Sequence, residues 1–401
     1  MNKALTPRPQ MPMGALPAPF HKRIAAENFQ HSWMNWNGYA SPGVLDTAEF
    51  EYFAIRNQAT LFDISPMCKF RINGPDAEAV MNRMMTRDVR KQKPGRVSYV
   101  IWCDEDGNVV DDGTLFRRSD DEFLLFCQEP QLLWIKDIAW GFDVEVSEVT
   151  HDLAGFAFQG PTTAATLRDL KIKEIETMRP FDIRDIKIAG KKVMISRTGF
   201  TGDLGYELVM APKDALAVWD AVYAAGQLRG VRIIGYEALE MARIEAGFLL
   251  PRVDFISSQT NLRVNRARNP YEIGLDWLVT FDKPHYNGKR VLQRLAGVAP
   301  KRKLFAIEIS RDKAAHHALV YHRKTREVGF VTSALWSATT KRNIAYAWLE
   351  APFGQEVKDD LWVEIYLQRE IEWQRRMERV MIVERPFFVH PRRTVTPPLN
   401  F

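Results

Sequence analysis

Cysteine is scarce in this chain of 401 residues: Cys68, Cys103 and Cys127 are odd in number, widely spaced and without a C-x-x-C pair. That argues against a disulfide framework or a zinc site and fits a reducing cytoplasm. Long apolar runs are missing as well. None approaches the roughly 20 residues of a membrane-spanning helix, so no membrane partner is expected. The N-terminus lacks the apolar core of a signal peptide. Met1 to about Phe20 is proline-rich (Pro7, Pro9, Pro12, Pro17, Pro19) and reads as an extended arm. Nor is charge of one sign gathered. Lys and Arg number 55 against 50 Asp and Glu, a net +5, but acids and bases interleave, as from Glu370 to Arg385. A nucleic-acid binder would collect its bases into a stripe, so none is expected here. The mild basicity suits small anionic ligands. His316, His317 and His322 stand in no strong metal-ligand spacing, and no metal is expected. There is no G-x-S-x-G elbow, Cys–His dyad, dinucleotide fingerprint or P-loop.

What is present is an ordinary globular composition, 46% hydrophobic and 26% charged, long enough for two or three domains. Asp46–Gln58 has helical spacing, with Ala48, Tyr52, Phe53 and Ile55 on one side. Leu61–Ile72 alternates as a strand ending at Asn73-Gly74-Pro75. Asp76–Met85 is helical, with Asp76 as a candidate cap. Val97–Cys103, Val109–Arg117 and Phe123–Cys127 form a β-meander, and Gln131–Ala139 a helix. Short strands and helices alternate through Ala154–Val222. Gly235–Gly247 is the cleanest helix, burying Ala238, Leu239, Ala242 and Ala246 and stopped by Gly247. Beyond about Pro300 helical periodicity fades into β-rich runs at Leu304–Ile309, Glu327–Thr332, Ile344–Trp348, Leu361–Leu367 and Val380–Val383. Gln368–Arg379 looks like an insertion between them.

The segment Arg197–Glu207 carries Gly199, Gly202 and Gly205 and ends in Tyr206-Glu207. Glycines let a backbone come close to a ligand, and a carboxylate can accept two parallel N–H bonds from the amidine-like edge of a heterocycle. A turn-rich hairpin without a ligand is the alternative. Asp111-Asp112-Gly113 falls where the pattern wants strand, although Asp is depleted there and costly to bury unpaired. It is either a bulge facing solvent or a carboxylate at a pocket mouth, with Tyr99 on the neighbouring strand. Trp33, Trp36 and Tyr39 could cage a sulfonium or quaternary ammonium group, or be packing.

Seven blocks stand in the order of one family: Leu61-Phe62-Asp63-Ile64-Ser65, Gly107–Asp112, Phe158-Gln159-Gly160-Pro161, Arg197–Glu207, Ala242–Gly247, Glu272–Leu275, and Val328–Ser333 leading to Lys341–Ala345. From about Trp33 to Pro391 the chain resembles the glycine cleavage T-protein (aminomethyltransferase) family of tetrahydrofolate enzymes. The resemblance implies an α+β, three-lobed folate-binding body over residues 33–299, a β-rich barrel domain over 300–401, and an arm over 1–32. It implies Asp112 as the catalytic aspartate and Glu207 as the pterin grip. Tyr99, Gln128, Phe200 and Arg243 join the cofactor site, with Arg243 open between a structural and a ligand-facing role.

Departures concentrate at the substrate end. Phe200 replaces the family's Tyr, Pro66 its His after Asp-x-Ser, and Leu239 its Arg in Ala-Arg-Asp, while the ending reads Pro386-Phe387-Phe388-Val389-His390. These favour a stand-alone demethylase that moves a methyl group from a small molecule (a sulfonium, methylated amine or aryl methyl ether) to N5 of tetrahydrofolate. Trp36, Tyr39 and Tyr206 are its candidate substrate residues. The alternatives are aminomethyl transfer giving 5,10-methylenetetrahydrofolate, or a non-catalytic folate-binding relative. Against the last, the glycine loop lacks that group's cysteine. A homo-oligomer is left open.

Overall fold

In the computed structural model, which describes residues 12–312 and 315–400, the strands pair into two large sheets, a small three-stranded sheet of Leu16–Pro17, Tyr39–Pro42 and Trp33–Trp36, and a barrel. One antiparallel sheet orders its strands Arg96–Cys103, Val109–Arg117, Glu122–Cys127, Cys68–Asn73 and Glu145–Glu148. A second orders Ile183–Ile188, Lys191–Ser196, Gly205–Met210, Ala154–Gln159, Thr60–Asp63 and Arg232–Ile233. Helices cover the outer face of each. The expected β-meander is there, and so is the helix Tyr236–Glu245, followed by Gly247 at φ +82°. The C-terminal strands close into a six-stranded barrel.

Several expectations need correction. Leu61–Ile72 is two strands, one in each sheet. Asp63 Oδ1 accepts the Ser65 N–H at 2.8 Å, turning the chain just before Pro66. Asp76 does not cap Ala77–Met84, because its carboxylate accepts instead from Asp143 N, 2.9 Å away. Phe53 is 43% exposed, so the buried side of helix Ala48–Asn57 is Tyr52 and Ile55. The strand Leu319–His322 was not read from the sequence; it is four residues long and only one of them is fully buried. Gln368–Arg379 is no insertion: Glu372–Val383 is a continuous strand whose first nine residues pair with Leu361–Arg369 and whose end pairs with Arg302–Ile309. Its outward charges hid the period. Residues 1–11 of the expected arm lie outside the described residues. From Phe20 onward the segment is folded, with a helix at His21–Glu27 and Phe20 stacked on Trp219 at 4.8 Å.

One buried polar hub ties these parts together. Glu245, wholly buried, accepts from Tyr52 Oη at 2.6 Å, Arg56 Nη2 at 2.7 Å and Ser337 Oγ at 2.5 Å. Tyr52 and Arg56 belong to helix Ala48–Asn57, and Ser337 to a barrel strand. Arg56 also donates to the Thr201 carbonyl at 2.8 Å and pairs with Asp203, both on the glycine loop. Arg392, from the C-terminal segment, grips Asp203 through Nε at 2.6 Å and Nη2 at 2.7 Å. Removing one partner strands the other's charge out of water. Glu245→Ala should therefore lower the unfolding free energy by about 3–5 kcal/mol, read as a lower urea midpoint.

Candidate functional site

Alternation along the strands decides which side chains can meet. On the five-stranded sheet, Lys69, Phe126, Thr114 and Tyr99 stand in one cross-strand row, and Ile101 and Asp112 in the next on the same face. On the six-stranded sheet, Ser196, Glu207, Ala157 and Phe62 form a row. These two faces look at each other. Val97, Phe116, Leu124 and Phe126 of the first pack with Met194 and Val209 of the second, Val209 being two residues from Glu207. Asp112 and Glu207 thus lie on opposite walls of one inter-sheet space.

Both carboxylates are poorly provided for. Asp112 is 9% exposed, and its one side-chain donor is Tyr99 Oη at 2.5 Å. Burial pushes it up to about 6, against the Tyr99 bond. Its neighbour Asp111 is wholly buried and accepts the N–H groups of Asp112 and Glu129, each at 2.9 Å. Burial and then the Asp112 charge hold Asp111 well above the carboxylate range. Among the described residues Glu207 receives Thr198 Oγ1 alone, at 2.5 Å, and burial raises it as well. Among the described residues neither Asp112 nor Glu207 has a cationic partner. An enclosed carboxylate holding one neutral donor has unused acceptor capacity.

The glycine loop serves this site indirectly. A Cβ on Gly199 would meet Gln159 Oε1 at 1.9 Å, one on Gly205 would meet Gln159 Cδ at 2.3 Å, and one on Gly202 would meet Ala246 Cβ at 2.4 Å. Gln159 Nε2 donates to the carbonyls of Thr198 and Tyr206, both at 3.1 Å, while Thr201 donates to its Oε1. The glycines are therefore needed for the loop to wrap around a glutamine and dock on a helix. That packing alone accounts for small residues at these three positions. Wrapping sets Thr198 beside Glu207.

Not every candidate joins the site. Gln128 Oε1 accepts from Trp36 Nε1 at 3.1 Å, and Trp36 lies 5.9 Å from Phe62, the neighbour of Ala157 in the Glu207 row. Phe200 stacks on Phe248 at 5.3 Å. Tyr39 turns to His151, and Trp33 to His21, so the three N-terminal rings form no common cage. Tyr206 is wholly buried, on the strand face opposite to Glu207, in the cluster of Phe158 and Trp219. It cannot reach a substrate in the inter-sheet space. Arg243 is also wholly buried. It binds Glu240, Asp254 (2.5 Å), Ser333 (2.8 Å) and the Phe248 carbonyl (3.0 Å). With its guanidinium so occupied it braces the helix against the barrel and has no spare donor for a cofactor. His316 meets the Thr332 carbonyl, while His317 and His322 pack on different rings.

Sequence reasoning missed a rim of groups around Tyr99. Trp277, 64% exposed, lies 6.2 Å from its ring. Arg87 donates to its carbonyl at 2.8 Å, and the Arg385 charge acts on its hydroxyl. Arg252 grips the buried Glu129 with both Nε and Nη2. No local pattern announces these partners, which come from segments far apart in the chain.

Comparison with known proteins places this architecture. The chain matches the GCVT N-terminal domain over residues 19–283 and the glycine cleavage T-protein C-terminal barrel domain over residues 302–388. It therefore belongs to the glycine cleavage T-protein family, a family of transferase enzymes. It is 32% identical to an aminomethyltransferase of Geobacillus thermodenitrificans over 352 residues, covering 86% of this chain and 92% of the relative. An aminomethyltransferase of Thermotoga maritima is 30% identical over 359 residues, covering 88% and 93%. In fold, the glycine cleavage system aminomethyltransferase T of Bartonella henselae superposes with a TM-score of 0.80 at 20% identity, over 93% of this chain and 98% of that one. No helix among the described residues is long and apolar enough to cross a membrane.

The unpaired Asp112 has a thermodynamic signature. Its carboxyl sits at about 6 in the folded state against 3.8 ordinarily, so the native state binds that proton more tightly than the unfolded chain. Stability conferred by the proton is present at low pH and lost as pH rises from about 4 through 6. Asp112→Asn should flatten that dependence and stabilise the protein by up to about 3 kcal/mol at neutral pH. Urea denaturation at pH 4 and pH 7.5 measures both.

Proposed function

We propose that this enzyme transfers a one-carbon unit from a small donor to tetrahydrofolate in the space between the two sheets. The observation that carries the reading is the pair of carboxylates, the buried Asp112 and the partly buried Glu207, on facing walls with no cationic partner among the described residues. Glu207 would grip the N–H edge of the pterin, with Thr198 fixing its orientation. Bound tetrahydrofolate supplies a nucleophilic ring nitrogen, N5, as the acceptor. Asp112 would stand beside that nitrogen and stabilise positive charge developing there, an effect enlarged by the low dielectric of the enclosed site. Tyr99 holds the carboxylate in place. The walls contribute by fixing both reactants at attack distance and keeping water out.

Two readings of the donor follow. Aminomethyl transfer, yielding 5,10-methylenetetrahydrofolate, is supported by what the relatives are named. Demethylation of a small molecule, yielding 5-methyltetrahydrofolate, is supported by the altered donor end. Leu239 is partly buried against an apolar cluster that includes Tyr52, Ile55 and Ala238, a setting where the resemblance expects an arginine. Pro66 stands for the expected histidine, and its carbonyl is engaged by Asn37 Nδ2 at 3.1 Å. A cytoplasmic setting without nucleic-acid or membrane partners belongs to the same proposal.

Titration of tetrahydrofolate into the protein, followed by tryptophan fluorescence, should saturate in the wild type and be lost in Glu207→Ala. No saturation in the wild type would sink the folate reading. Chromatography of the product distinguishes the methylene from the methyl form. Turnover should rise with pH through about 6 as Asp112 ionises. Asp112→Asn should cut it by about 100-fold or more while the protein stays folded; unchanged turnover would remove Asp112 from the mechanism.

A further inference from the structure

Cys68 and Cys127, far apart in the chain, stand directly opposite each other on neighbouring antiparallel strands. Both side chains enter the same apolar cluster, so they share a sheet face. Opposed residues of an antiparallel pair have Cα atoms about 4.5–5.5 Å apart, inside the range of about 4.4–6.8 Å that a disulfide bridges. Gly113 is the next member of this row, and a Cβ there would stand 3.2 Å from Cys127 Cβ. Its absence leaves the Cys127 side chain room. The thiols are free, Cys68 donating to the Gln128 carbonyl at 3.7 Å and Cys127 to the Glu129 carbonyl at 3.2 Å. Cys103 lies in a separate cluster with no cysteine opposite.

We propose that Cys68 and Cys127 are an oxidisable pair that closes as an intramolecular disulfide, stapling two strands of the site's wall. A hydroperoxide is the oxidant. The sulfur of Cys68, 5% exposed against 1% for Cys127, attacks the O–O bond, giving a sulfenic acid and releasing an alcohol or water. The Cys127 sulfur then displaces hydroxide from Cys68, and the hydroxide leaves as water with the Cys127 proton. In sum, two thiols and ROOH give the disulfide, ROH and water. Burial pushes Cys68 up to about 12 and Cys127 well above its usual range, so thiolate is rare and the bond closes slowly. This marks the pair as a site of sustained oxidation, too slow for a fast sensor.

The test uses the full chain held natively in hydrogen peroxide, then denatured in iodoacetamide and digested without reduction. Mass spectrometry should find a peptide pair linked through Cys68 and Cys127, abolished by dithiothreitol, with Cys103 recovered alkylated. Recovery of both residues alkylated, or as sulfinic acids without a linked pair, would overturn the proposal. In Cys127→Ser the Cys68 sulfenic acid should persist and be trapped by dimedone; no trapping would overturn the order of steps.

Discussion

Glu245 is the point through which the parts of this molecule are coupled. Its carboxylate takes donors from helix Ala48–Asn57 and from a barrel strand, while sitting at the end of a third element. Through Arg56 it reaches the glycine loop, and through Asp203 the segment after the barrel. None of these segments would keep its position from apolar packing alone, which is non-directional. A buried ion pair is a poor source of net stability but a demanding geometric constraint. Two arginines and two acids must all arrive, or one charge is left uncompensated out of water. His390, beside Asp203, is driven down to about 4 by burial and adds no charge at neutral pH. The hub is thus balanced, two positive groups against two negative.

The site is built on the opposite principle. Asp112 is buried and Glu207 partly so, and among the described residues the side-chain donor to each is a single neutral hydroxyl. The hub acids have arginine partners and these two have none among the described residues, which leaves a cost that a proton or a bound group with N–H donors would relieve. Spending stability at one place requires that the surroundings not relax to recover it. The hub supplies that rigidity, because Arg56 holds Thr201 and Asp203, and the loop between Thr198 and Gly205 is folded around Gln159.

How much of this was legible in the residues depended on locality. The meander Val97–Cys127 could be read because its apolar positions alternate and its turns are short. The family could be read because whole motifs survive in order. Asp112 stood out as an acid where local propensity disfavours one, and Glu207 as the carboxylate that ends the glycine-rich segment. Tyr206 and Glu207 were grouped by adjacency, yet a strand sends neighbours to opposite faces, and only the register showed which face is the wall. Arg243 could not be separated from a ligand contact until Asp254 and Ser333 were seen to occupy it. The clamp of Arg252 on Glu129 joins a loop to a strand end and leaves no periodic trace.

The two ends of the site differ in how freely they can change. Glu207 and Asp112 project from interior strands whose register is fixed by neighbours on both sides. A one-residue slip there would exchange every core side chain with its opposite face. The residues that depart from the family, Pro66 and Leu239, sit on a turn and on a partly buried helix position. Substitution at such places alters shape and polarity without disturbing a ladder. Under the proposed function, such a scaffold would keep its grip on the cofactor through the architecture of the sheets while the donor end varies at less constrained positions such as Pro66 and Leu239.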